Sequence, residues 1–411
     1  MIRFVRHQLS NGLQILVYPD NSTPMAALDV CYHVGSRDEE PHRTGFAHLF
    51  EHLMFGGSKN IPDFDLPLQQ AGGENNAYTT NDMTNYYMSL PATNIELGFW
   101  LESDRMLELD FSEENLALQR NVVIEEFKQR TLNQPYGDVW FLLREMAYQV
   151  HPYRWPTIGK DISHIALATL DEVKAFFFRY YAPDNAAVVV SGHVKPDECF
   201  RLAEKWFGPV PRRNVIKQPL PEEPEQTAFR EQTVRRRVPD NALYFAFHMD
   251  ARHTRGYYVC DMITDVLACG NSSRLYQKMV MEKRLFVEID SYISGDSDPG
   301  LLVVSGKLAR HVRIETARKA VWNELNRLKA ELIPVTEIEK VKNKLETEYI
   351  LSQLNYLNMA QELAALENVG GAELINRLMS VYLSVTPEEI MLTAARIFRP
   401  ENCSQLNYLT K

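Results

Sequence analysis

One proline-rich stretch constrains this chain more than any other feature: PVPRRNVIKQPLPEEPEQT, residues 209–227. It holds five prolines and alternating charge blocks, and no apolar period runs through it. Prolines at that density remove backbone donors and break both helices and sheet ladders, so the stretch reads as a linker. The 411-residue chain is longer than one hydrophobic core usually serves, and two domains of about 200 residues each are expected. The reading is residues 1–210, a linker at 211–227, and residues 228–411, with the break near the middle of the proline-rich stretch.

The two flanks repeat a loose order of elements. In the first, LQILVYPD and MAALDVCYHVGS are rich in β-branched and aromatic residues and read as strands. The opening MIRFVRHQLSNGLQILVYPDN reads as strand, Ser-Asn-Gly turn and strand. Helices are expected at about 44–55, 93–108 and 112–130. Gly72-Gly73 ends a shorter helix, and NAYTTNDMTNYYMSL reads as two strands around a polar turn. In the second flank NALYFAFHMD and PGLLVVSGKL are strands, and GYYVCDMITDVLA is a helix. TEIEKVKNKLETEYILSQLNYLNMAQELAALENVGG reads as one long helix stopped by Gly370-Gly371. The expectation is an α+β fold of two duplicated domains, each an antiparallel β-sheet packed with helices.

On the first of these helices lies HLFEH, with His48, Glu51 and His52. A helix turns about 100° per residue, so His48 and His52 stand one above the other on one face. Two imidazoles so placed can share a cation. Glu51, on the next ridge, is within reach of a water beside that cation. The order H-x-x-E-H is the inverse of the zincin H-E-x-x-H. Histidine pairs at this spacing also occur by chance on ordinary helices, so the reading requires a third ligand. LQRNVVIEEFKQR, residues 118–130, offers Glu125 and Glu126 on a helix that is otherwise an ordinary solvated face.

Charge and composition exclude other classes. The formal net charge of −10, from 44 basic and 54 acidic residues, argues against a general nucleic-acid binder. No stretch approaches the ~18 consecutive apolar residues of a membrane span. Arg6, His7 and Gln8 interrupt the N-terminal apolar positions, so the terminus does not read as a signal peptide. The five cysteines, Cys31, Cys199, Cys260, Cys269 and Cys403, form no C-x-x-C pair and read as buried reduced thiols. A cytoplasmic location is expected, with a periplasmic mature form lacking its leader as the alternative.

HLFEHLMFGGSKN, GGENNAYTTNDMTNYY, QRNVVIEEFKQR, HPYRWPTIG and YYAPDNAAVVVSGHV follow one another in the order seen in the pitrilysin/insulinase metallopeptidase family. The chain resembles its mitochondrial-processing-peptidase-like branch, as found in bacteria, over nearly its whole length. The resemblance implies the fold of that branch, two homologous α+β domains forming half of a clamshell. It also implies one zinc ion per chain, held by His48, His52 and Glu126, with Glu51 as catalytic base. Glu126, not Glu125, matches the family's third ligand. Gln119 stands where the family usually has a glutamate that supports the ligands from behind, and that departure removes a charge without removing a ligand. The resemblance further implies that ENNAYTT, residues 74–80, is an edge strand on which a peptide pairs, with Asn76 and Ala77 facing the scissile bond.

One family feature is missing. Active members carry an arginine and a tyrosine in a run like L-R-E-K-G-L-A-Y. In SSRLYQKMVMEKRLFVEIDSYISG, residues 272–295, those positions fall on Met281 and Val287, while Arg284 and Tyr292 are out of register. The expectation is a zinc endopeptidase subunit that cuts short or unfolded peptides in a closed chamber. A homologous partner without zinc but with the Arg/Tyr pair would complete it. A stand-alone peptidase and a non-catalytic scaffold subunit are the alternatives.

Overall fold

The computed structural model describes residues 1–295 and 297–411. It contains two β-sheets, each backed by helices. The first sheet is built from β1 (Val5–Gln8), β2 (Gln14–Pro19), β3 (Met25–Tyr32), β4 (Glu74–Thr79), β5 (Thr84–Pro91) and β6 (Ala186–Gly192), in the order β1-β2-β6-β3-β5-β4. The second is built from β7 (Arg230–Arg236), β8 (Ala242–His248), β9 (Phe286–Ile293), β10 (Leu301–Leu308) and β11 (Cys403–Thr410), in the order β7-β11-β8-β10-β9. Leaving out β1, the strands correspond one to one, β2 to β7 through β6 to β11. Even the pairing sense agrees: β2 with β6 and β7 with β11 are parallel, and the other pairs are antiparallel. The sheets are thus mixed, not purely antiparallel, because the last strand of each returns beside the first by a crossover.

The compact units are not contiguous in sequence. The first comprises residues 1–132, 155–221 and 350–376, the second residues 133–154, 222–349 and 377–411. This differs from the division 1–210 and 228–411 read from composition. The helix Tyr356–Val369 packs on β3 and β6 of the first unit, and the helix Val139–Ala147 packs on β11 and β8 of the second. Under the strand correspondence these are equivalent surfaces, so each half lends a helix to cover the other's sheet. Tyr356 anchors its helix, with its hydroxyl 2.7 Å from Ser89 Oγ. The long helix expected to run on to Gly370 is instead two, Val335–Ser352 and Tyr356–Val369. Asn355 breaks it: its side chain accepts from Leu357 N and Asn358 N and caps the second helix.

The linker is irregular, as its prolines require, and is pinned at both ends. Arg213 donates to the carbonyls of Tyr181 and Leu107 in the first unit, at 2.6 and 2.9 Å. Glu223 accepts from the backbone N–H groups of Gln149, Val150 and His151 in the second. Four cysteines are buried as expected. Cys269 is not: it is exposed at a helix end, 3.0 Å from Lys344 Nζ. No helix among the described residues is long and apolar enough to cross a membrane.

In β3 the residues Ala26, Leu28, Val30 and Tyr32 enter the core of the first unit, as strand alternation dictates. Asp29 points to the other face and is fully buried. Asn85 Nδ2 donates to its Oδ2 at 2.8 Å, while Asp29 Oδ1 has no partner among the described residues. Burial pushes the Asp29 carboxyl up to about 8. A folded-state value raised above 3.8 means that the fold holds a proton the unfolded chain releases. Its stabilisation is complete below the unfolded value and is lost as pH rises through about 8. Asp29→Asn keeps the shape without the charge. It is expected to flatten this pH dependence and to stabilise the protein above pH 8 by about 1–3 kcal/mol. Thermal melts at acid and alkaline pH decide it; a variant that melts lower at both would refute the account.

Candidate metal centre

The helix Phe46–Leu53 is amphipathic and short, and both properties serve the site. Phe46, Leu49, Phe50 and Leu53 are buried in the core. Phe50 stacks on Tyr181 and accepts the Tyr86 hydroxyl at its carbonyl, at 3.1 Å. The helix begins at Gly45, whose φ of +91° favours glycine. Glu39 caps this start: its two carboxylate oxygens accept from Gly45 N at 2.9 Å and Ala47 N at 2.8 Å. Burial pushes the Glu39 carboxyl up to about 8 against those hydrogen bonds. A helix of eight residues held this firmly at its N-terminus presents His48, Glu51 and His52 in a set orientation.

The second contributor is the helix Glu113–Phe127, capped by Ser112 and seated through Leu116, Val123 and Phe127. Its phase separates the two glutamates that sequence left side by side. The Glu125 side chain is 62% exposed and pairs with Lys128 Nζ at 2.6 Å. Glu126 is 18% exposed and faces the histidines. Immediately after it the backbone widens into a π-helical turn, Lys128–Leu132, and Arg130 Nη1 lies 2.9 Å from Glu126 Oε1. Such turns are frequent at functional sites.

Glu126 Oε2 lies 3.2 Å from His48 Nε2 and 3.2 Å from His52 Nε2. The candidate donor atoms of all three residues fall within 4.8 Å of one another. Two ligands held 2.0–2.1 Å from a tetrahedral zinc are separated by roughly 3.3 Å, so this spacing and this His/His/carboxylate donor set fit zinc. The imidazole rings stand nearly perpendicular, with centroids 5.0 Å apart. His48 Nδ1 lies 3.3 Å from Glu51 Oε2, and Thr79 Oγ1 donates to that same oxygen at 2.6 Å. Burial disfavours a charged His48, yet the Glu126 and Glu51 carboxylates overcome it and raise the imidazole to about 9. Hydrogen bonds from His48 and His52 hold Glu126 well below the usual carboxylate range. The pocket is built to hold positive charge.

The structure brings together His48, His52, Glu126 and Glu51. Asn76 and Ala77 lie on β4, paired with Tyr87 and Tyr86 of β5. β4 is an edge strand, and the helix carrying His48 and His52 packs against it. Gln119 is half-buried two turns before Glu126, and among the described residues no hydrogen bond joins it to His48, His52 or Glu126. Sequence reading missed Glu39 and Thr79, the first acting across 6 and 8 residues of chain and the second across 28; an acidic residue before a Gly-started helix was the available signal for the first. In the second unit Met281 and Val287 are both 54% exposed. Arg284 has a left-handed backbone (φ +50°), and the ring of Tyr292 packs on Trp140.

Residues 15–161 match the family model described as insulinase (peptidase family M16), and residues 168–345 match the peptidase M16 inactive domain. All three candidate ligands and Glu51 fall in the first match. The chain is 31% identical to the zinc protease PqqE of Helicobacter pylori over 348 residues, 83% of this chain and 78% of that protein. It is 27% identical to an uncharacterized zinc protease, YmxG, of Bacillus subtilis, covering 84% of each. The crystal structure of a protease from Helicobacter pylori superposes with a TM-score of 0.93 at 27% identity, over 99% of this chain and 100% of that one. The periplasmic protease PqqL of Escherichia coli superposes at 0.81 and 19% identity, over 99% of this chain and 47% of that one.

Proposed function

Because this chain belongs to the insulinase (M16) family of peptidases, we propose that it is the zinc-bearing subunit of an endopeptidase acting on short or unfolded peptides. The observation that carries the reading is the meeting of His48, His52 and Glu126 at 3.2 Å spacing, with Glu51 alongside as a non-ligand. His48, His52 and Glu126 hold one zinc ion. When bound, zinc polarises the scissile carbonyl and makes a water acidic enough to lose a proton near neutral pH. Glu51 takes that proton and returns it to the leaving amine. The peptide adds as a strand to the free edge of β4, with Asn76 and Ala77 beside the bond to be cut.

The second half of the machinery comes from another chain. Met281 and Val287 carry no donor, and their exposed apolar side chains cannot stabilise a developing oxyanion. A homologous partner with an Arg/Tyr pair and no zinc supplies that function inside a closed chamber. The superposition on only 47% of PqqL supports pairing, since that protein is about twice as long.

The test is cleavage of a mixed fluorogenic peptide library by the zinc-loaded chain, alone and mixed with such a homologue. The expected result is little or no turnover alone and at least about 10²-fold more on mixing, in line with the loss of an oxyanion donor. Full activity alone would sink the partner requirement. A chain that takes up no zinc would sink the peptidase reading.

A further inference from the structure

Glu51 has two carboxylate oxygens, and the fold treats them differently. Oε2 accepts the Thr79 hydroxyl at 2.6 Å and faces His48 Nδ1 at 3.3 Å. Among the described residues no hydrogen bond reaches Oε1. With Nε2 of His48 given to the zinc ion, its Nδ1 would carry the ring hydrogen and donate to Glu51 Oε2. Two donors therefore hold one oxygen and leave the other to receive a proton.

Thr79 does not belong to the metal-bearing helix. It is the last residue of β4, paired with Thr84 of β5. Strand alternation puts it on the same side of the sheet as Ala77, which packs against the core of this unit. Threonine is β-branched and stiff at χ1, so the strand backbone sets where its hydroxyl points. The edge of β4 opposite β5 is the one open to an added strand.

Resting on the peptidase reading above, we propose that Thr79 is a positioning residue that ties the base to the peptide-docking strand. Its hydroxyl fixes the Glu51 carboxylate through Oε2, so that Oε1 presents to the attacking water. A peptide that adds to the open edge of β4 pairs with the same strand that carries this hydroxyl.

The experiment compares Thr79→Val, which keeps the shape and loses the donor, with Thr79→Ser, which keeps the donor. The active form, with its partner if one is required, is assayed on a fluorogenic peptide. The zinc-loaded chain alone is titrated with acetohydroxamate, a metal chelator whose N–H and O–H also need an oriented base. Thr79→Val is expected to keep full zinc and KM within about 2-fold, and to lose about 10- to 100-fold in kcat. It is also expected to bind acetohydroxamate at least about 5-fold more weakly, and Thr79→Ser to recover most of both losses. Wild-type kcat and wild-type hydroxamate affinity in Thr79→Val would overturn the proposal while leaving the zinc site standing. A raised KM at unchanged kcat would overturn it too, reducing Thr79 to part of the docking strand. Failure of the wild-type chain to bind zinc would instead refute the reading on which it rests.

Discussion

Glu51→Gln is expected to hold its zinc in full and to lose peptide cleavage by a factor of about 10²–10⁴, the usual worth of a positioned general base. The substitution is nearly isosteric. A glutamine carbonyl at the position of Oε2 still accepts from Thr79 Oγ1 and His48 Nδ1, so the local structure has no reason to move. Glu51 is not among the clustered donor residues His48, His52 and Glu126, so that donor set is intact. What disappears is the ability to accept a proton. The measurement pairs zinc content by mass spectrometry with turnover of a fluorogenic peptide. Retention of more than a tenth of the wild-type rate would mean another group is the base. Loss of zinc would mean that Glu51 is a ligand after all.

Glu126 and Glu125 give the sharpest contrast in the molecule. Glu126→Gln replaces a carboxylate that sits 3.2 Å from both imidazoles with a neutral amide. The loss of a charged ligand is expected to weaken zinc binding by more than about 100-fold, beyond the roughly 10- to 100-fold typical of changing a group that only hydrogen-bonds a ligand, and to abolish cleavage at limiting zinc. Glu125→Gln, one residue earlier, removes only an exposed pair with Lys128. It is expected to leave zinc affinity, activity and stability unchanged, because an exposed ion pair contributes little. Competition against a chromophoric chelator reads both variants. Equal effects from the two substitutions would contradict the helix phase described above.

Several parts of the site and fold were legible from the chain alone. His48 and His52 share a face because they are four residues apart, and that follows from helix geometry without any tertiary contact. The strands around the 80–83 turn and the hairpin at Gly12 follow from composition and turn chemistry in the same way. The choice of Glu126 over Glu125 came from resemblance, and the structure explains it by burial on one side of the helix and exposure on the other.

Other features were closed to sequence. Nothing near Thr79 announces that its hydroxyl meets Glu51, 28 residues earlier. Nothing in EYILSQLNYLNM says that one long helical pattern breaks at Asn355 and sends its second part to the other unit's sheet. Sequence by itself determined what lies within one turn or one hairpin: two histidines on a face, a glutamate beside them, a linker too rich in proline to fold. Only the tertiary structure decided which glutamate meets them, which strand donates to Glu51, and which sheet each exchanged helix covers. Local geometry is set by bonded neighbours, whereas these meetings join residues tens to hundreds of positions apart, and it is the packing of whole apolar faces that selects them.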